Sequence, residues 1–175
     1  SSDRMNQLQS GTTIMIPADA VECRLNAYWI PTESLVIGGQ RYTFTRNRTS
    51  FSGSGESGDR WTATYNTYAG YLKVWLVDYR GSEISLPASA ELTLVESSKN
   101  TITAEAGNPA ISCRGWLSLS TECSDGKHPS LVASAGAGAP AVTADRVIVD
   151  RAPHMDFCAG EGSTVFSEKT QLELS

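Results

Sequence analysis

The chain has two histidines, His128 and His154, and only the second stands beside a candidate chemical partner. In His154-Met155-Asp156 an extended backbone puts imidazole and carboxylate on the same side, a spacing that general-base pairs and metal sites both use. Two ligands do not make a metal centre and no third is identifiable, so no metal or other cofactor is expected. Glycoside hydrolysis needs two carboxylates that converge across one bond. Asp78 and Glu83, flanking Tyr79-Arg80-Gly81, are the best pair on offer, and a turn decorated with acids is the plainer account. Serine catalysis would call for a Gly-x-Ser-x-Gly elbow, but Ser52-Gly53-Ser54-Gly55 has Phe51 where the first glycine belongs. The glycine-rich stretches 52–59 and 135–140 lack the lysine that follows a phosphate-binding loop. These residues favour binding over catalysis and keep a small secreted hydrolase, using Asp78 and Glu83 or His154 and Asp156, as a rival.

The four cysteines, Cys23, Cys113, Cys123 and Cys158, are spaced unlike zinc or iron–sulfur ligands. An even, scattered set is expected to form two disulfides. Cys113 with Cys123 is preferred because the ten residues through Arg114-Gly115 can fold back locally, leaving Cys23 for Cys158; all three connectivities stay open, and four buried thiols are the alternative. Paired cysteines with few lysines point to the extracellular space, the cell surface or the periplasm.

Recognition chemistry is concentrated in the aromatic residues. Of 14, eleven lie between Tyr28 and Tyr79. If Asn66 to Gly70 is a hairpin turn, Trp61 is expected opposite Trp75, Ala63 opposite Lys73 and Tyr65 opposite Tyr71, all on one sheet face. Leu72, Val74 and Leu76 on the other face then line the core, and Trp61, Tyr65, Tyr71, Trp75 and Tyr79 form an outward platform with Lys73 among them. Ring faces of this kind suit sugar rings and protein contacts alike, whereas the competing account is an aromatic core. A fully buried, unpaired Lys73 would be costly, which favours the outward reading. The basic loop carrying Arg46 and Arg48 could hold an acidic sugar or a carboxylate, and Asn47-Arg48-Thr49 matches the glycosylation sequon.

The elements that must position these groups read as strands. Val21 to Trp29 alternates apolar and polar residues, and similar runs occur at 11–16, 34–37, 41–46, 60–67, 71–79, 90–96, 101–104, 110–113, 116–121, 130–133, 146–150 and 164–174. Many short strands without long helical patterns predict a mainly β protein, a single antiparallel β-sandwich or jelly-roll-like domain with two disulfides. Asp3 to Gln9, with Met5, Leu8 and Gly11, resembles a helix end. The expected organisation is an N-terminal segment over 1–10 and one β-rich domain over 11–175, with no internal repeat and no dividing linker.

Forty per cent apolar and 19% charged residues in 175 suffice for a core and exclude an acidic disordered tail. A net charge of −5 argues against nucleic acid, and no apolar run approaches the roughly 18 to 20 residues that span a bilayer. Charge is uneven: residues 1–80 hold eight Lys or Arg against seven Asp or Glu, and residues 81–175 hold six against twelve. The functional expectation is an exported attachment or binding module that recognises a carbohydrate or a surface protein through its aromatic sheet face. A second expectation is a filament-subunit head, because a helix end followed by a strand-rich body with late cysteines resembles the general plan of type IV pilin-like heads, although no motif of that family is matched. A neighbouring copy could pair an exposed sheet edge, so a homo-oligomer is also in view.

Overall fold

The computed structural model describes residues 33–45, 47–54, 58–124, 127–150 and 154–174. The strands expected at 11–16 and 21–29, the helix end at Asp3 to Gln9, Cys23 and Arg46 lie outside them. The described residues form sixteen strands: β1 Glu33–Ile37, β2 Gln40–Phe44, β3 Ser50–Ser54, β4 Arg60–Asn66, β5 Tyr71–Val77, β6 Arg80–Gly81, β7 Ile84–Leu86, β8 Ser89–Val95, β9 Lys99–Thr103, β10 Ile111–Cys113, β11 Trp116–Glu122, β12 Ser130–Ser134, β13 Val142–Thr143, β14 Arg146–Val149, β15 His154–Cys158 and β16 Gln171–Leu174.

From β5 onward the chain winds as a β-solenoid of about 3 turns. Each coil contributes one strand to a seven-stranded sheet (β16-β14-β11-β8-β5-β4-β3), one to a four-stranded sheet (β15-β12-β9-β6) and one to a five-stranded sheet (β13-β10-β7-β1-β2). Successive coils pair in parallel, as Leu72 with Ala90, Leu117 with Ala90, Leu117 with Val147 and Val147 with Leu172. Inward residues therefore stack in aliphatic columns, and Leu72, Val74, Leu92, Leu117 and Leu119 have no exposed surface. Stacking rungs in register lets each coil bury a face that no single coil could cover alone.

The corners explain why the chain bends between sheets instead of doubling back. Asp78 (φ 53) and Ser97 (φ 60) occupy the left-handed region and end β5 and β8. The Asp78 carboxylate accepts the Lys99 amide at 2.8 Å, which ties the first corner to the next coil. Beneath it, buried Asn100 accepts the Tyr79 amide at 2.9 Å and donates to Ser98 Oγ at 2.8 Å and to the Ser130 carbonyl at 3.2 Å. One side chain thus joins three successive coils and satisfies polar groups that the corner takes from water. The small-residue stretch 135–140 stacks between neighbouring corners, where a Cβ on Gly136 would lie 1.7 Å from the Glu105 carbonyl oxygen, so only glycine fits without a backbone shift.

At the head of the solenoid, β1–β2 and β3–β4 are antiparallel additions to two of the sheets. Tyr42, Phe44, Phe51, Trp61 and Tyr65 meet edge-on or tilted with ring centroids 4.9 to 5.7 Å apart, closing that end of the core. Five of the eleven aromatic residues concentrated in the first half belong to this plug.

Two expectations are corrected. The sheets are mixed and wound, not an antiparallel sandwich or jelly roll. No disulfide occurs among the described residues: Cys113, Cys123 and Cys158 are free thiols. Cys113 cannot fold back on Cys123 because β11 runs extended between them for seven residues, about 23 Å at the usual rise. The late disulfide in the pilin-like expectation is therefore not found among the described residues, and the helix end on which that expectation also rested lies outside them.

Candidate functional site

The hairpin of β4 and β5 forms around the expected turn, where the Asn66 side chain accepts the Tyr68 and Ala69 amides. Its register, however, is shifted by one residue. Trp61 pairs with Leu76, Ala63 with Val74 and Tyr65 with Leu72, while Thr62 pairs with Trp75 and Thr64 with Lys73. A one-residue slip sends the whole side-chain set of one strand to the opposite face. The aromatic ladder is accordingly split: Trp61, Tyr65 and Tyr79 are buried, whereas Tyr71, Lys73 and Trp75 face outward, half-buried. The outward half of the expected platform is present, and it gains neighbours from coils far along the chain.

Tyr71, Ser89, Trp116 and Arg146 share one outer row, since β5, β8, β11 and β14 are in register. Over the small Ser89, Tyr71 and Trp116 lean together with ring centroids 6.3 Å apart, although their strands are not neighbours. Trp116 is 37% exposed, the only exposed tryptophan among the described residues. Arg146 bonds Glu173 on β16 beside it.

A second station lies about 13 Å along the strands, four residues at the usual rise. Trp75 Nε1 donates to Glu122 Oε1 at 2.9 Å, crossing β8 to reach β11. Lys73 Nζ sits 3.2 Å from Glu91 Oε1, 3.7 Å from Glu122 Oε1 and 5.0 Å from the centre of the Trp75 ring. Ser120 Oγ donates to Glu91 at 2.9 Å, and Thr93, outward-pointing yet buried, donates to the same carboxylate at 3.2 Å. Lys73 therefore has ionic partners, which resolves the cost of its partial burial. Two carboxylates around one ammonium leave this patch acidic, and the linked bonds hold the Trp75 ring in place before any ligand arrives.

Sequence reasoning missed Trp116, Glu91, Ser120 and Glu122. A faint signal exists, since Tyr71-Leu72-Lys73-Val74, Ser89-Ala90-Glu91-Leu92, Trp116-Leu117-Ser118-Leu119 and Arg146-Val147-Ile148-Val149 repeat one alternation, but the steps between them differ (71 to 89, 89 to 116, 116 to 146).

The other candidates are dispersed. Arg48 is on the head, its guanidinium 4.3 Å from the Phe51 ring centre, beside a shallow cleft of about 330 Å³ lined by Tyr42, Ser50, Phe51, Ser52 and Thr62. Asp78 holds a corner, and Glu83 accepts from the Asn108 amide at 3.1 Å. His154 and Asp156 share the exposed side of β15. No group of three metal-ligating side chains occurs among the described residues. No helix among them is long and apolar enough to cross a membrane. Burial pushes the Cys113 thiol and the Tyr79 and Tyr65 hydroxyls above their ordinary pKa values, so these groups stay neutral and serve packing. Compared with family models, curated proteins and solved structures, the chain matches none.

Proposed function

We propose that the chain is a binding module that takes carbohydrate on the outer face of its seven-stranded sheet. The observation that carries this reading is the Tyr71–Trp116 ring pair, exposed beside a second tryptophan that Glu122 holds in place. Sugar rings present C–H faces that pack on aromatic surfaces, while carboxylates and hydroxyls such as Glu91, Glu122 and Ser120 accept from and donate to their hydroxyl groups. A flat row of parallel rungs supports an extended ligand better than a compact one, and the 13 Å between stations favours an oligosaccharide over a single sugar. Fixed rings lower the entropy lost on binding. Glycans of this type are met outside the cell or in the periplasm, where the reading places the chain. It assigns no catalytic step.

The test is a glycan array followed by tryptophan-fluorescence titration of the best hit. Trp116→Ala is expected to weaken that binding about tenfold, matching roughly 1.4 kcal/mol of lost stacking, without changing the melting temperature. An empty array, or a hit whose affinity is indifferent to both Trp116→Ala and Trp75→Ala, overturns the reading.

A further inference from the structure

The two ends of the solenoid match each other in strand direction, apolar surface and charge. At the tail, β16 ends the seven-stranded sheet and β15 ends the four-stranded sheet, both without an outer partner among the described residues. Leu172 and Leu174 there are 51% and 74% exposed, and Phe166 is only partly buried. At the head, the outermost strands are β3 on the seven-stranded sheet and β2 on the five-stranded sheet. Each is two antiparallel steps removed from the parallel rungs: β3 opposes β4, which opposes β5, and β2 opposes β1, which opposes β7. Two reversals restore the original direction, so β2 and β3 run parallel to the strands that end their sheets at the tail.

The side-chain columns are also open at both ends. One inward column reads Phe51, Ala63, Val74, Leu92, Leu119, Val149, Leu174 across the whole seven-stranded sheet. Its interior members are buried, but Phe51 is only half-buried and Leu174 is exposed. In the five-stranded sheet partly buried rings lie at both ends in neighbouring columns, Tyr42 at the head and Phe166 at the tail. Charge separates in the same sense. Exposed Arg41 and Arg48 lie at the head, whereas Glu161 and Glu168 outnumber Lys169 near the tail, where Glu173 is paired with Arg146.

From this juxtaposition we propose that the tail of one copy docks on the head of a second copy, translated along the solenoid axis so that β16 pairs in parallel with the next copy's β3. Such a contact is heterologous and leaves one head and one tail unused, so it propagates as linear oligomers instead of closing as a symmetric dimer. Parallel backbone pairing satisfies both edges, the stacked column covers Leu174 with Phe51, and the opposed charges steer the approach.

Sedimentation velocity on the 175-residue chain tests this. A ladder of dimers, trimers and longer species is expected to grow with protein concentration and to shrink in about 1 M salt, where the screening length falls to about 3 Å. The head variant Arg41→Glu/Arg48→Glu and the tail variant Leu174→Asn change exposed positions, so folding is retained and is checked by circular dichroism. Each alone is expected to associate about tenfold more weakly. An equimolar mixture is expected to recover dimers through its one intact head–tail pair, with nothing longer. A monomer at every concentration overturns the proposal, as does a head variant that dimerises as tightly as the unaltered chain, because that contact would not use the head.

Discussion

Replacing Asn100 with alanine tests the wound architecture at its most connected point. The side chain is 1% exposed and engages groups from three coils: the Tyr79 amide, the Ser98 hydroxyl and the Ser130 carbonyl. Alanine leaves the Tyr79 N–H without that partner in a buried corner and the Ser130 C=O without it at a part-buried position. The Ser98 hydroxyl still donates to the Val95 carbonyl at 2.6 Å, so it adds little. At about 1–3 kcal/mol for each buried group left unsatisfied, the two together cost roughly 2–6 kcal/mol. That is a large part of the usual 5–15 kcal/mol of domain stability. Urea unfolding followed by tryptophan fluorescence measures the loss, with Asn66→Ala as the exposed control, expected at or below about 1 kcal/mol. Asn100→Asp keeps an acceptor for Tyr79 but sets a carboxylate against the Ser130 carbonyl, so it should be no milder than alanine. If Asn100→Ala costs no more than the control, water reaches this corner and the coils are not joined there.

Further outcomes follow from the same structure. Gly136→Ala, whose Cβ would fall 1.7 Å from the Glu105 oxygen, should lower stability by about 3 kcal/mol, read as a fall in melting temperature; an unchanged melt would mean that the corners are not stacked. In the native protein, alkylation followed by peptide mapping should label exposed Cys123 and Cys158 and spare buried Cys113 until the chain unfolds. At high pH the unfolded chain ionises first, because Cys113 is raised above 9.0 and Tyr65 and Tyr79 above 10.0; stability is therefore intact below these values and falls as pH rises through 9 to 10 and beyond. Absorbance of tyrosinate against pH should show a late-ionising fraction in the folded chain that is lost on unfolding.

Strand positions were largely legible in the sequence, because period-two alternation marks any strand with one wet face. β4, β5, β8, β11 and β14 fall within a residue or two of where alternation puts them. Their assembly was not legible. Alternation usually accompanies antiparallel sheets, since parallel strands are mostly buried on both sides; a solenoid breaks that link by leaving one face of each parallel strand in water. The unequal coils hid the repeat, and the decisive corners rest on single residues such as Asp78, Ser97 and Asn100 whose role depends on partners 21 to 30 residues away. The site was half-visible for a related reason. Tyr71, Lys73 and Trp75 were identified together because they alternate along one strand, but the hairpin register decides whether Trp61 and Tyr65 join them, and a turn of this length leaves that register open. Trp116 and Glu122 enter from β11, which no local pattern links to β5.

The unequal treatment of the two termini of the coil stack bears on how the molecule comes apart. Five interlocking rings and two reversed hairpin pairs anchor one extremity, whereas the opposite one finishes in a four-residue strand with all of its side chains at the surface. In a stack where each layer leans only on its neighbours, opening starts at the weaker extremity and travels inward layer by layer. Amide exchange should therefore be fastest in β16, slower through β14 and β11, and slowest in β5 and β8, giving the chain a graded mechanical polarity that a two-layered globule of equal size would lack.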